Sequence, residues 1–180
     1  MTVVQGRKSV NLRIAGRVLA LEAELGCELA RDLPPRAKPY SRAEVAAAVR
    51  KVVPLLEINA PSFRRPLEIG GLCLIADNGV NAGAVLGAPG AVRLDVIAHA
   101  RVTLRVNGRG QAEGQAASCP DDPLSALCWL ANQLRGEAGG LLAGQVIATG
   151  AMAPPVEVTS ECMVEADFAA LGALQVTFVE

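Results

Sequence analysis

Two glutamates separated by a single residue, Glu22 and Glu24, are the first residues in the chain whose spacing suggests chemistry. They fall where Leu19, Leu21, Ala23, Leu25, Cys27 and Leu29 alternate with Ala20, Glu22, Glu24, Gly26 and Glu28. A period of two is that of a strand, so both carboxylates point to one face. Oxygen ligands arranged in this way suit a hard cation such as Mg²⁺ or Mn²⁺. The same pattern equally describes a solvated strand face, because Glu28 continues it. Glu57 favours the first reading: it lies within the apolar run 54–58, where a carboxylate is expensive to bury unless a metal ion or an arginine meets it.

The elements that must position these residues can be read along the chain. Residues 19–29 form the strand just described. Residues 32–40 hold Pro34, Pro35 and Pro39 and read as a loop. Ser41 with Glu44 is a capping box that opens a helix over 42–53, stopped by Pro54. Residues 55–59 read as a short buried strand, and an irregular stretch follows around Pro61 and Pro66. Residues 72–76 are too short a run to type as helix or strand by period. Residues 96–106 alternate again and end at Asn107-Gly108, a two-residue hairpin signal that sends 109–118 back as the partner strand. Asp121 or Asp122 caps the next helix, with Pro123 in its first turn and Leu124, Leu127, Leu130, Ala131 and Leu134 on one face. Three further strands are expected at 145–149, 162–168 and 174–179. Strands and helices do not alternate regularly, which points to an α+β fold on antiparallel or mixed sheets.

With 180 residues, 51% of them apolar, the chain is long enough for one well-packed domain, here 1–180. Its 17 basic and 18 acidic residues leave a net charge of −1, which disfavours nucleic acid and anionic membrane as partners. No apolar run approaches the roughly 20 residues that span a bilayer. Residues 1–10 lack the apolar core of a secretory signal, so a cytoplasmic location is expected. Cys27, Cys73, Cys119, Cys128 and Cys162 are scattered singly and read as small hydrophobes. His99 reads as a surface residue beside Arg101 on a strand. Trp129 reads as core or interface packing. Arg64-Arg65 reads as a solvated loop that could otherwise meet a substrate carboxylate. The glycines around Gly70-Gly71 and in 136–144 lack the strand–turn–helix context of a phosphate loop.

Several segments together resemble the 2-keto-4-pentenoate hydratase family. LEAELGCELARDLPP at 21–35 looks like its V-E-A-E strand and G-R-D-L-P turn, and LLEI at 55–58 like its A-L-E-I strand. The match continues in order through ADN at 76–78, VLG at 85–87, DPLSALCWLANQL at 122–134, LLAGQVIATGA at 141–151, Pro154-Pro155 and ADFAALGALQVTF at 166–178. The resemblance implies a fumarylacetoacetate hydrolase-type α+β fold, a mixed and mainly antiparallel β-roll or sandwich with a few flanking helices. It implies Mg²⁺ or Mn²⁺ held by Glu22, Glu24 and Glu57. Asn78, Thr149 and Gly150 would bind substrate, with Thr149 and Asp77 as catalytic candidates. The implied activity is a lyase one, hydration of a 2-hydroxy-dienoate or 2-oxo-alkenoate acid in aromatic-compound catabolism. The related 4-oxalocrotonate decarboxylase reaction would use the same electron sink.

The chain departs from the family pattern at several points. About twenty residues precede Glu22, and none reproduces the family's lysine-bearing Y-K-I-G-like motif, although Arg7, Lys8, Arg13 and Arg17 supply cations. V-D-S-R after the L-E-I strand becomes Asn59, Ala60, Pro61 and Ser62; D-N-A-S becomes Asp77, Asn78, Gly79 and Val80; T-G-S becomes Thr149, Gly150 and Ala151. These departures support an alternative, a shortened and catalytically impaired relative that serves as a binding or interaction subunit. Under either reading a homo-oligomer is expected, with possible association with a related hydratase or decarboxylase.

Overall fold

In a computed structural model of the chain, the structure describes residues 2–5, 8–10, 19–63, 68, 70–88, 97–118, 122–136, 139–159 and 161–179. One sheet has the order β1 (Thr2–Gln5), β5 (Asn81–Leu86), β4 (Val49–Asn59), β3 (Leu19–Leu29) and β8 (Val146–Ala148), and β9 (Val156–Val158) also pairs with β3. A second sheet runs β2 (Lys8–Val10), β11 (Ala173–Phe178), β10 (Cys162–Asp167), β6 (Arg101–Val106) and β7 (Arg109–Gln115). The pairings β1–β5 and β2–β11 are parallel and the others antiparallel, which is the mixed, mainly antiparallel α+β architecture expected. Helices α1 (Arg42–Ala46), α2 (Gly71–Ala76) and α3 (Pro123–Gln133) flank the sheets. No helix among the described residues is long and apolar enough to cross a membrane.

The alternation in β3 faces two environments. Leu19, Leu21, Ala23, Leu25, Cys27 and Leu29 enter the main core with Val102 and Leu104 of β6, Val164 and Ala166 of β10, Val176 and Phe178 of β11, and Leu124, Leu127 and Ala131 of α3. The opposite face is not a solvated one. Gly26 and Glu28 are buried there and Glu24 is only 4% exposed.

Several expectations need correction. The helix over 42–53 ends at Ala46, and Val49 to Val53 belong to β4 instead. The capping box of Ser41 and Glu44 is present as read, but the run of valines beyond it gains more from pairing with β3 than from a helix. Pro54 therefore stops no helix; it lies inside β4 opposite Leu25. Its carbonyl accepts from Gly87 N–H at 2.8 Å on the β5 side. In an extended strand a residue's nitrogen and carbonyl face the same way, so the missing N–H takes nothing from the β3 ladder.

The strand read over 96–106 begins only at Arg101, since Ala100 N–H closes a turn onto Ile97 O at 3.1 Å and both side chains are buried. His99 is exposed on that turn rather than on a strand, and residue 96 lies outside the described residues. Trp129 is not core: it stands 63% exposed on α3.

Other readings hold. Residues 72–76, left open by period, are the body of α2. Asp122 caps α3, accepting from Leu124 N–H at 3.0 Å, and the hairpin turn places Asn107 and Gly108 at φ 49° and 77°. Asp121, Cys119 and Arg64-Arg65 lie outside the described residues, as do Arg7, Arg13 and Arg17. Cys27 and Cys162 are buried, while Cys73 and Cys128 are half-buried.

Candidate metal centre

The register of β3 against β4 sets Glu22 directly opposite Glu57, and Glu24 follows two residues along the same face. One carboxylate oxygen from each of the three lies within 4.8 Å of the others. Among the described residues, the ion pairs of the chain involve other acids, and none joins a lysine or arginine to these three.

What meets these carboxylates is a set of neutral donors. Gly150 N–H donates to Glu24 Oε2 at 2.8 Å, Asn59 Nδ2 donates to Glu22 Oε1 at 3.2 Å, and Asn81 Nδ2 donates to Glu57 Oε1. Burial pushes the Glu24 carboxyl up to about 7, against the Gly150 donor and with the help of the neighbouring Glu57 and Glu22 charges. Burial also raises Glu22, with Glu57 adding to the shift and Asn59 opposing it. A dense, partly desolvated group of hard oxygen donors with no counter-charge among the described residues fits a divalent cation.

The remaining candidate residues sit at different depths. Thr149 is buried; its hydroxyl donates to Leu25 O at 2.9 Å and its N–H reaches the same carbonyl at 3.1 Å. That double contact seats Gly150, at φ 103°, over Glu24. Asp77 follows α2 and accepts from Ser62 N–H at 2.9 Å. Asn78 is exposed, and its amide donates to Asn81 O at 3.2 Å. Asp77 and Asn78 thus belong to the turn that delivers Asn81.

Asn59 and Asn81 are the residues that sequence reasoning missed. Asn59 lies two positions after Glu57 and so shares its face, a signal available from parity. Asn81 gave no such signal. From Leu86 back to Gly83 the β5 ladder runs in step with β4, and Ala82 would come opposite Asn59 if it continued. The register shifts between Ile58 and Asn59, and Asn81 takes that place.

A groove of about 410 Å³ on β6 and β7, lined by Arg101, Thr103, Glu113 and Gln115 among others, includes none of the candidate residues.

Comparison with known proteins agrees with the fold. The family model described as fumarylacetoacetate (FAA) hydrolase C-terminal matches residues 2–179. The chain is 32% identical over 161 residues to a 2-keto-4-pentenoate hydratase of Burkholderia vietnamiensis, covering 89% of this chain and 60% of the relative. It is 31% identical over 170 residues to the 2-oxo-hept-4-ene-1,7-dioate hydratase of Escherichia coli, covering 88% and 61%. The solved 4-oxalocrotonate decarboxylase of Pseudomonas putida G7, complexed with magnesium and adipate, superimposes with a TM-score of 0.86 at 22% identity, over 98% of this chain and 66% of that one. The fumarylpyruvate hydrolase of Pseudomonas aeruginosa, with Mn²⁺ and pyruvate, gives 0.72 at 16% identity, over 99% and 74%. The chain spans about three-fifths of the length of the hydratases it matches. On this evidence the chain belongs to the fumarylacetoacetate hydrolase C-terminal family.

Proposed function

We propose that this chain carries the metal centre of a hydratase that adds water to a 2-hydroxy-dienoate or 2-oxo-alkenoate acid in the breakdown of aromatic compounds. The observation that carries the reading is the convergence of Glu22, Glu24 and Glu57 within 4.8 Å, with no lysine or arginine of the described residues paired to them. Its further support is the kinship to hydratases and the metal ions bound in the solved relatives. The three glutamates would hold Mg²⁺ or Mn²⁺. When bound, such a cation supplies Lewis acidity to a chelating 2-oxo acid, stabilising enolate charge as it develops.

The protein's own residues do the rest. Gly150 N–H and the amides of Asn59 and Asn81 orient the carboxylates, and burial of Glu24 lowers the local dielectric in which substrate charge is felt. Thr149, Gly150 and Asn78 line the approach we assign to substrate, with Asp77 and Thr149 as candidates for proton handling. The protein is also read as a homo-oligomer acting in the cytoplasm. Replacing Glu22 or Glu57 by glutamine is expected to abolish both Mn²⁺ binding in calorimetric titration and hydration of the dienoate; unchanged rates in those variants would sink the proposal.

A second reading, a binding subunit of a related hydratase or decarboxylase, is favoured by one group of observations. Val80 and Ala151 stand where the family resemblance expects serines, and the Thr149 hydroxyl is committed to Leu25 O. Titration with Mg²⁺ and then oxalate separates the two: metal binding without oxalate binding supports the subunit reading, and uptake of both supports the enzyme.

A further inference from the structure

Asn59 and Asn81 sit opposite each other across β4 and β5, one beside Glu22 and the other beside Glu57. Asn59 is 6% exposed, and in both residues the amide nitrogen is used while the amide oxygen is buried with no hydrogen-bond partner among the described residues. The carboxylates fix this orientation, since a flipped amide would set a carbonyl oxygen against an anionic oxygen. Two buried, orphaned acceptors side by side are unusual, because each forfeits a hydrogen bond that water would otherwise make.

The backbone is bent to produce the arrangement. The β-bulge turns Asn81 onto the carboxylate face in place of Ala82. Immediately before it, Asn78, Gly79 and Val80 all adopt left-handed φ values of 56°, 63° and 62°. For a β-branched residue such as Val80 that region is sterically costly. The turn is held by Val80 N–H on Asp77 O and Ala60 N–H on Val80 O, each at 2.9 Å. Strain kept next to a cluster of functional groups is strain the surrounding structure enforces.

Resting on the reading of the three glutamates as a cation site, we propose that Asn59 and Asn81 form a carboxamide clamp of positioning residues for that site. Each amide holds one oxygen of its glutamate and leaves the other for the cation. The two orphaned oxygens accept hydrogen bonds from water that a hard cation such as Mg²⁺ carries into the site and releases reluctantly. A carboxamide suits this task better than lysine or arginine, because it stabilises the carboxylates without cancelling the charge that draws in the cation.

The test is titration of the full chain with Mn²⁺ alone, by calorimetry and by the electron paramagnetic resonance line shape of the bound ion. Asn59→Leu and Asn81→Leu, close to isosteric, are each expected to weaken Mn²⁺ about 10–100-fold and to alter the line shape at saturation. The metal-free variants should still unfold cooperatively, because the loss of a donor to a carboxylate is offset by removal of a buried orphan acceptor. Parent-like affinity and line shape in both variants would overturn the clamp while leaving the cation site standing. An Asn59→Asp variant that binds Mn²⁺ more tightly than the parent would also overturn it, by making position 59 a ligand. Failure of the parent itself to bind Mn²⁺ would remove the cation site and the clamp together.

Discussion

The two ends of β3 treat the same side chain in opposite ways. Glu22, Glu24 and Glu28 share one face of one strand, yet Glu28 is joined by Lys51 Nζ at 2.8 Å and by the Arg50 guanidinium, which hold its carboxyl below the usual range. Glu22 and Glu24 meet neutral donors and their acidic neighbour Glu57, with no cationic partner among the described residues, and are pushed upward. Between the two lies Gly26, flanked by an apolar group of Val53, Leu55, Ala84, Leu86 and Val146. One acid is spent on the fold's own cations; the others are left with charge to offer a ligand. The difference teaches that acidity alone does not mark a site. What marks it is burial together with the absence, among the described residues, of a cationic partner.

The sharpest way to break this contrast is to neutralise one acid at each end. Glu24→Gln should cost more than about 100-fold in Mn²⁺ affinity, since it removes a ligand where even outer partners are worth 10–100-fold. Glu28→Gln should leave that affinity within about twofold, the two sites sharing no partner. Calorimetric titration of both variants decides it; equal losses would show that β3 works as one electrostatic unit.

Next in size is Gly26→Ala, which attacks the divider. A Cβ there would come 2.7 Å from Val146 Cγ1 and 2.9 Å from Val53 Cγ2, so about 1–3 kcal/mol of overpacking is expected, read as a lowered denaturation midpoint. A variant as stable as the parent would show that the apolar divider is loosely packed.

Stability against pH separates the two ends by sign. Glu24 is raised from 4.5 to about 7 in the folded chain, so its contribution is fully present below pH 4.5 and is lost as pH rises toward 7. Glu28 is lowered, so its contribution is present above 4.5 and is lost as pH falls. Urea unfolding of metal-free protein should therefore show stability declining from pH 5 to 7.5, and saturating Mg²⁺, which binds the ionised acids, should reverse that slope. Glu28→Gln should remove only about 1 kcal/mol at neutral pH, because Lys51 and Arg50 are 29% and 60% exposed and can rehydrate. A flat metal-free profile would erase the distinction between the ends.

Much of this was legible in the sequence because it follows from local periodicity. Strand β3, the Ser41–Glu44 cap, the Asn107-Gly108 turn and α3 each announce themselves within a dozen residues. The pairing of Glu22 with Glu57 does not; it depends on register between strands separated by a loop and a short helix, and only the family resemblance brought the two together. The limits of α1 were misread because a capping box fixes where a helix starts and says nothing about where a valine-rich run will prefer a neighbouring strand. Pro54 misled for a related reason, since its missing donor matters only on the side where a partner needs it. Asn81 was out of reach because a bulge of one residue reverses the parity on which face assignment rests.

The chain contains a single tryptophan, Trp129, and α3 holds it 63% exposed, clear of the core that its neighbours Leu124, Leu127 and Ala131 enter. In the free chain its fluorescence should be red-shifted and open to quenching by iodide, and it should change little when cation is added. Covering of α3 by another subunit would instead shift the emission to the blue, so the native indole reports assembly independently of the metal centre.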